Sequence, residues 1–286
     1  MQTITAILFS GIMFFAGMKQ NSHISTFPHQ KKRPFFPLPA NILFMKTPVL
    51  SVKTPSVIKN WGKPLLHLLF PNICAVCGKS LFDFEPVICT PCKVHLPTTN
   101  YHRNPDNKVA AMFWGRLHLE HCSALLHYKK GNSVQKLIHQ LKYKGREDIG
   151  SMLGTLCGKS LKSIPELANL SGVIPVPLHP KKMRIRGYNQ CTSIAKGIAD
   201  VLNIPVLDKV VARNTFNTSQ TKKDRYSRWE NTHDQFTLLD PESIQHKHIL
   251  IVDDVITTGS TLEALASTLN PENETQLSIV TIGSTF

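Results

Sequence analysis

Two short stretches of this chain hold residue types that can act together chemically. The first is ILIVDDVITTGST, Ile249 to Thr261. Four aliphatic residues run into Asp253 and Asp254, and Thr257, Thr258, Gly259, Ser260 and Thr261 follow shortly after. Paired carboxylates accept hydrogen bonds from sugar hydroxyls or hold a hard cation such as Mg²⁺. A glycine-bent, hydroxyl-rich run that opens a helix presents N–H groups and O–H donors to an anion. Carboxylates next to a phosphate would repel it unless they face another part of the ligand, so the combination fits a phosphorylated sugar. The run is not a Walker A loop, because it lacks Gly-Lys-Ser/Thr and the acids come first. A plain strand end with Ser260 or Thr261 as N-cap would explain the hydroxyls but leave the two carboxylates without a reason.

The second stretch pairs Cys74 with Cys77 and, eleven residues on, Cys89 with Cys92. Two CxxC pairs at this spacing, with Gly78 just after the first, fit four thiolates around a tetrahedral Zn²⁺ at about 2.3 Å per Zn–S bond. The alternative is four unrelated core cysteines. All four positions are filled by protein, so the ion would be structural, and its binding energy would be largely folding energy. Cys122, Cys157 and Cys191 lie on apolar segments and read as small buried hydrophobes. An odd total of seven cysteines argues against a disulfide framework and for a reducing compartment, the cytoplasm.

These residues need elements to position them. Ile249 to Val252 shows no polar alternation, which predicts a strand buried on both faces. For both carboxylates to act at one place, Asp254 should already be turning into the loop. Further strands are expected over Ser123–Tyr128, Gly172–Val176, Val206–Val211 and Leu277–Ile282. Val134, Leu137, Ile138 and Leu141 recur at helical spacing. Helices are also expected over Asp148–Leu161, around Ile194–Leu202 and over Ser260–Leu269. The alternation predicts an α/β fold, an open and mostly parallel sheet flanked by helices, whose ligands sit at the carboxyl ends of the strands. Leu65 to Phe70 reads as a short helix ended by Pro71. The domain reading is an N-terminal extension over 1–60, a four-cysteine zinc module over 61–98 and the α/β domain over 109–286.

Composition narrows the partners. The chain has 286 residues and a formal charge of +14. Trp229 to Phe286 carries nine acidic residues and one basic residue, Lys247, so the remainder is strongly basic. A basic body attracts nucleic acid, a membrane surface or small polyphosphates. Ile4 to Met18 is apolar but shorter than the roughly 20 residues a membrane helix needs. It reads as part of a disordered extension, with a membrane anchor as the alternative and Met45 as a candidate start. No stable membrane association is expected.

The stretch from Ile249 to Thr261 resembles the 5-phosphoribosyl-1-pyrophosphate (PRPP) signature of type I phosphoribosyltransferases. Over about Leu65 to Ile282 the chain resembles the ComF family of competence-associated, phosphoribosyltransferase-like proteins. The resemblance rests on LLFPNICAVCGKSL with the second CxxC, LKYKGRED, PVPLHPKKMRIRGYNQ, and Gln220, Arg228, Asn231 and Phe236. It implies a type I phosphoribosyltransferase-like sheet behind a zinc module. It further implies that Asp253 and Asp254 meet the ribose hydroxyls and that Thr257, Thr258, Gly259, Ser260 and Thr261 hold the 5′-phosphate. Lys142, Tyr143, Lys144 and Gly145 would match the pyrophosphate loop, unless they form only a basic helix end. Arg186 would join the site, unless it belongs to a solvated turn in which Asn189 caps the next helix. Lys222 to Arg228 would form a lid over the reacting centre, or else a solvated charge run.

The activity implied is displacement of pyrophosphate from PRPP, with Mg²⁺, by an acceptor. A second reading makes the chain a non-enzymatic adaptor in competence and DNA uptake, binding single-stranded DNA or a helicase partner. A third makes it a regulator that binds PRPP without chemistry.

Overall fold

The structure is a computed structural model, and it describes residues 72–214, 235–271 and 274–286. The expected helix at 65–70, the extension over 1–60 and the Lys222–Arg228 segment lie outside the described residues. So do Gln220, Arg228 and Asn231.

The described chain begins with the cysteine knuckles and helix α1 (Thr90–Val94). Helix α2 (Lys108–Ala111) follows, then strand β1 (His121–His127), α3 (Ser133–Tyr143), α4 (Glu147–Leu161) and β2 (Leu170–Pro175). Next come α5 (Pro180–Arg186), α6 (Gln190–Leu202), β3 (Val211–Arg213), β4 (Phe236–Leu238), β5 (His248–Ile256), α7 (Ser260–Leu269) and β6 (Gln276–Ser284). Four strands form a parallel sheet in the order β1-β6-β5-β2, and β3 and β4 form a small antiparallel pair. The strand carrying the two aspartates is therefore flanked on both sides.

Both faces of this sheet are covered, as the unbroken aliphatic runs require. On one face Leu250, Val252, Val280 and Ile282 pack with Leu137, Leu141, Ile149 and Ile194 of α3, α4 and α6. On the other, Ile249, Ile251 and Ile279 meet Leu262 and Leu265 of α7 and Val109 and Phe113. Helices α4 and α6 pack closely because glycines leave room. A Cβ at Gly154 would lie 2.1 Å from the Ile194 carbonyl oxygen, and one at Gly197 would lie 2.2 Å from that of Ser151. Asn132 caps α3 by accepting the Gln135 N–H at 2.9 Å, and Asn189 caps α6 by accepting that of Cys191 at 3.1 Å. These caps fix where Lys142 and Gln190 come to rest.

Two expectations differ from the structure. The strand expected over 206–211 is reduced to a single bridge from Val206 to Val173 of β2. The chain then turns at Asp208 and Lys209, and ladder pairing resumes only in β3. Pro205 has no N–H to donate and contributes only its carbonyl, which accepts the Val173 N–H at 3.0 Å. The second difference is at the acids. β5 does not end before Asp254: it runs through Ile256, with Asp253 opposite Thr281 and Val255 opposite Gly283 of β6. Parallel pairing to a strand of the same reach carries the ladder past both carboxylates.

Candidate functional site

Alternation along β5 puts Asp254 on the face of Leu250 and Val252, toward α3 and α6. It is 5% exposed. Lys142, in the last turn of α3, donates to its Oδ1 at 2.7 Å, and Gln190, the first residue of α6, donates to its Oδ2 at 2.7 Å. Both oxygens are thus engaged. Burial works against the Lys142 charge, but the Asp254 carboxylate more than offsets it and the Lys142 pKa rises. The Tyr188 hydroxyl donates to the Leu141 carbonyl oxygen, tying the turn before α6 to the end of α3.

Asp253 is half-buried and less satisfied. Its Oδ1 accepts the Asp254 N–H at 2.8 Å and the Cys191 thiol at 3.3 Å, whereas Oδ2 carries no hydrogen bond among the described residues. Burial, helped by the neighbouring Asp254 carboxylate, pushes the Asp253 pKa up to about 7. Burial and the Asp253 carboxylate likewise hold the Cys191 thiol well above its usual range. Cys191 is therefore a neutral donor that fixes how Asp253 points.

Past the strand, the backbone bends at Gly259, whose φ of +76° suits glycine. Gly259, not Ser260 or Thr261, occupies the N-cap of α7, and no side chain caps that helix. Its first N–H groups remain open to an anion. Thr257, Thr258 and Ser260 are exposed, with the Thr258 and Ser260 hydroxyls 3.1 Å apart. Residues 255–262 and Asp253 surround a hollow of about 40 Å³. A second cleft, of about 140 Å³, shares Asp253 and Thr261 with it and is also lined by Lys142, Lys182, Arg186, Arg213 and Asp254. Four cations against two carboxylates make it a place for an anion.

The structure thus brings Asp253, Asp254, Lys142, Arg186 and the 257–261 bend together. The other three residues of the expected pyrophosphate loop do not line the cleft. Tyr143 is exposed, Lys144 is the C-cap of α3, and Gly145 takes a φ of +66° in the turn to α4. The Arg186 guanidinium lies 5.2 Å from the Tyr143 ring centroid and donates to Gln190 Oε1 at 2.8 Å. The sequence did not point to Lys182, Cys191 or Arg213 as site residues, and it offered Gln190 only as the end of the stretch from Arg184 to Gln190. The position of Gln190, directly after a capping asparagine, was the available signal for a side chain at a helix mouth. Arg213 had none, because it enters the cleft from the β3–β4 pair.

The four-cysteine cluster is a separate centre. The sulfurs of Cys74, Cys77, Cys89 and Cys92 all lie within 4.8 Å of one another, and those of Cys77 and Cys89 are 3.7 Å apart. Four ligands at about 2.3 Å around a tetrahedral ion stand about 3.8 Å from each other, so the residues fit a structural metal such as zinc. For Cys74, burial raises the thiol pKa, but N–H groups of the knuckles outweigh it and bring the value down to about 6. The Glu85 carboxylate accepts the Thr90 N–H and hydroxyl, each at 2.6 Å, which anchors the second knuckle. Gln140 of α3 donates to the Ala75 carbonyl oxygen at 2.6 Å, and Val87, Ile88 and Leu96 share the apolar core of α3.

Among the described residues no helix is long and apolar enough to cross a membrane. Residues 189–283 match the phosphoribosyl transferase domain family. The chain is 27% identical to Competence protein F of Haemophilus influenzae over 208 residues, covering 71% of this chain and 86% of that one. It is 26% identical to DNA utilization protein YhgH of Escherichia coli over 225 residues, 76% of this chain and 88% of that one. A glutamine PRPP amidotransferase from B. subtilis, solved with ADP and GMP, aligns at 17% identity and a TM-score of 0.36, over 50% of this chain and 30% of its own. The chain therefore carries a phosphoribosyl transferase domain behind a four-cysteine cluster, and it resembles the ComF family of competence-associated proteins.

Proposed function

We propose that this protein binds PRPP with Mg²⁺ at the carboxyl end of β5 and transfers the phosphoribosyl group to an acceptor, in the cytoplasm, during the handling of incoming DNA. The observation that carries this reading is that Asp253 and Thr261 line both hollows, one formed by an uncapped helix start and the other by cations. The 5′-phosphate takes the bend at Thr257 to Thr261. The free Asp253 Oδ2 accepts from the ribose hydroxyls between the two hollows. Lys142, Lys182, Arg186 and Arg213 receive the diphosphate, with which Mg²⁺ travels to neutralise charge. Asp254 holds Lys142 and Gln190 in place. In the transfer, the bond from C1 to diphosphate breaks as the bond from C1 to the acceptor forms, and the diphosphate carries away the electron pair. The carboxylates favour the positive charge that develops on the ring. The four cysteines hold structural Zn²⁺ and take no part in this step.

The role in competence and DNA uptake is supported by the names of the relatives, Competence protein F and DNA utilization protein YhgH. The same names and the charge of +14 support a second reading, a non-enzymatic adaptor for single-stranded DNA or a helicase partner. Two assays on one preparation separate them. Pyrophosphate release from PRPP with candidate acceptors is expected for the enzyme. Single-stranded DNA binding that weakens steeply with salt, without pyrophosphate release, supports the adaptor.

A further inference from the structure

A larger cavity lies away from the β5 cleft. It encloses about 370 Å³ between the segment after α2, the start of β1 and the turn after α4, within the range of small-molecule sites. Its lining includes the aromatic residues Phe113 and Trp114, the cation Arg103 and the carboxylates of Glu120 and Glu166. Trp114 is 62% exposed, a large apolar ring held open to solvent.

One buried polar group faces this space. His121, the first residue of β1, is 8% exposed and lines the cavity. Its Nε2 pairs with Ser123 Oγ at 2.8 Å, and Nδ1 has no hydrogen-bond partner among the described residues. Among the described residues no side-chain nitrogen or oxygen that is sealed from solvent lacks a partner, so the unpartnered Nδ1 is reached by solvent on a residue that lines the cavity. Burial pushes the His121 pKa down to about 4, so near neutral pH the ring is uncharged and offers one directional hydrogen bond. A phenyl ring, an indole, one neutral imidazole nitrogen, two carboxylates and an arginine suit a planar heteroaromatic with donors and acceptors on its edge and an anionic tail. The indole stacks, the imidazole and carboxylates read the ring edge, and the guanidinium meets the tail.

We propose that this cavity is a second ligand site, which takes a purine or pyrimidine mononucleotide. Its inner wall also reaches the bend after β5. A Cβ at Gly259 would lie 3.0 Å from Phe113 Cζ, so that ring packs against the N-cap of α7. A ligand that shifts Phe113 is therefore felt where the sugar phosphate is proposed to dock. That consequence rests on the phosphoribosyl reading, but nucleotide binding in the cavity does not.

The test is calorimetric titration of the intact protein with AMP, GMP, CMP and UMP, without PRPP. At least one is expected to bind with a dissociation constant below about 1 mM. Trp114→Ala is expected to weaken it about tenfold, as loss of one base–aromatic stack does. Arg103→Ala is expected to weaken the mononucleotide more than its nucleoside. Thr258→Asp, which places a negative charge in the bend, is expected to change the affinity by less than about threefold, since the bend reaches the cavity only through Phe113. Trp114 and Arg103 are exposed, so circular dichroism should show both variants folded. Three results would overturn the proposal: no binding of any of the four, binding indifferent to Trp114 and Arg103, or binding lost in Thr258→Asp, which would assign the nucleotide to the β5 cleft. Failure of PRPP to bind leaves this result untouched and counts only against the phosphoribosyl reading.

Discussion

The cysteine cluster and the end of β5 both gather anionic groups, yet they are finished to different degrees. At the cysteines the four sulfurs face one another, Glu85 ties down the second knuckle, and Gln140 fastens the first to α3. No coordination position is left for a substrate. At the end of β5 the arrangement is left incomplete. Asp253 Oδ2 has no partner among the described residues, α7 starts without a side-chain cap, and four cations line a cleft with two carboxylates. A centre that satisfies itself holds the fold, while one left with open donors and acceptors is suited to a ligand that comes and goes.

The contrast can be broken most severely at the cysteines. Structural zinc contributes about 10–16 kcal/mol of apparent binding energy that is largely folding energy. Cys77→Ala, or chelation, is expected to abolish metal binding and unfold the knuckles. Because Gln140 of α3 bonds to the first knuckle and Val87 and Ile88 pack in the same core, amide protection should fall most in α3 and less in β5 and β6, whose ladders do not pair with the knuckles. Metal analysis and hydrogen exchange check this, and a full metal equivalent retained by Cys77→Ala would contradict it.

Within the cleft the two acids should behave differently. Asp254→Asn removes the counter-charge of Lys142, whose side chain is 22% exposed. A loss of about 2 kcal/mol is expected from urea unfolding, below the roughly 3–5 kcal/mol of a fully buried broken pair. Asp253→Asn should not destabilise in this way, since the amide oxygen still accepts from the Asp254 N–H and the Cys191 thiol. The pKa of Asp253, about 7, lies above its value in an unfolded chain. Ionising it in the folded state therefore costs stability, and the cost grows as pH rises from about 4 to 7. The melting temperature of Asp253→Asn relative to the unmodified protein should rise across that window and then level off. A gap that stays flat or narrows would contradict the shift.

The backbone bend gives a smaller effect. Gly259→Ala must hold a side chain at a φ of +76°, with its Cβ 3.0 Å from the Phe113 ring. Thermal unfolding should show a loss of about 1–2 kcal/mol. Smallest of all, Arg116→Ala removes an exposed ion pair to Glu263, which is 2.7 Å away, and should change stability by less than about 0.5 kcal/mol.

Much of this contrast was legible in the sequence. The CxxC pairs announce themselves by spacing, and their sulfurs converge as the spacing implies. The unbroken Ile249–Val252 run requires cover on both faces, and both faces are covered. The extent of β5 was not legible, because a ladder ends where its neighbour stops pairing, and β6 pairs with β5 as far as Ile256. The roles of the two acids were hidden for the same reason. Asp253 and Asp254 are adjacent and identical in type, and only the arrival of Lys142, Gln190 and Cys191 from distant helices makes them unlike. Arg213 reaches the cleft through a strand pair whose partner residues lie more than twenty positions away.

Asp253 is the open acceptor between the bend proposed to take the phosphate and a cleft lined by cations. The most direct measurement is calorimetric titration of PRPP·Mg²⁺ into the unmodified protein and Asp253→Asn at pH 8 and pH 6. Loss of the charged acceptor is expected to weaken binding about 10–100-fold at pH 8. From pH 8 to pH 6 the affinity of the unmodified protein should fall about tenfold more than that of the variant, which keeps only the dependence set by the ligand's own phosphate. Equal affinities of the two proteins at pH 8 would contradict the account.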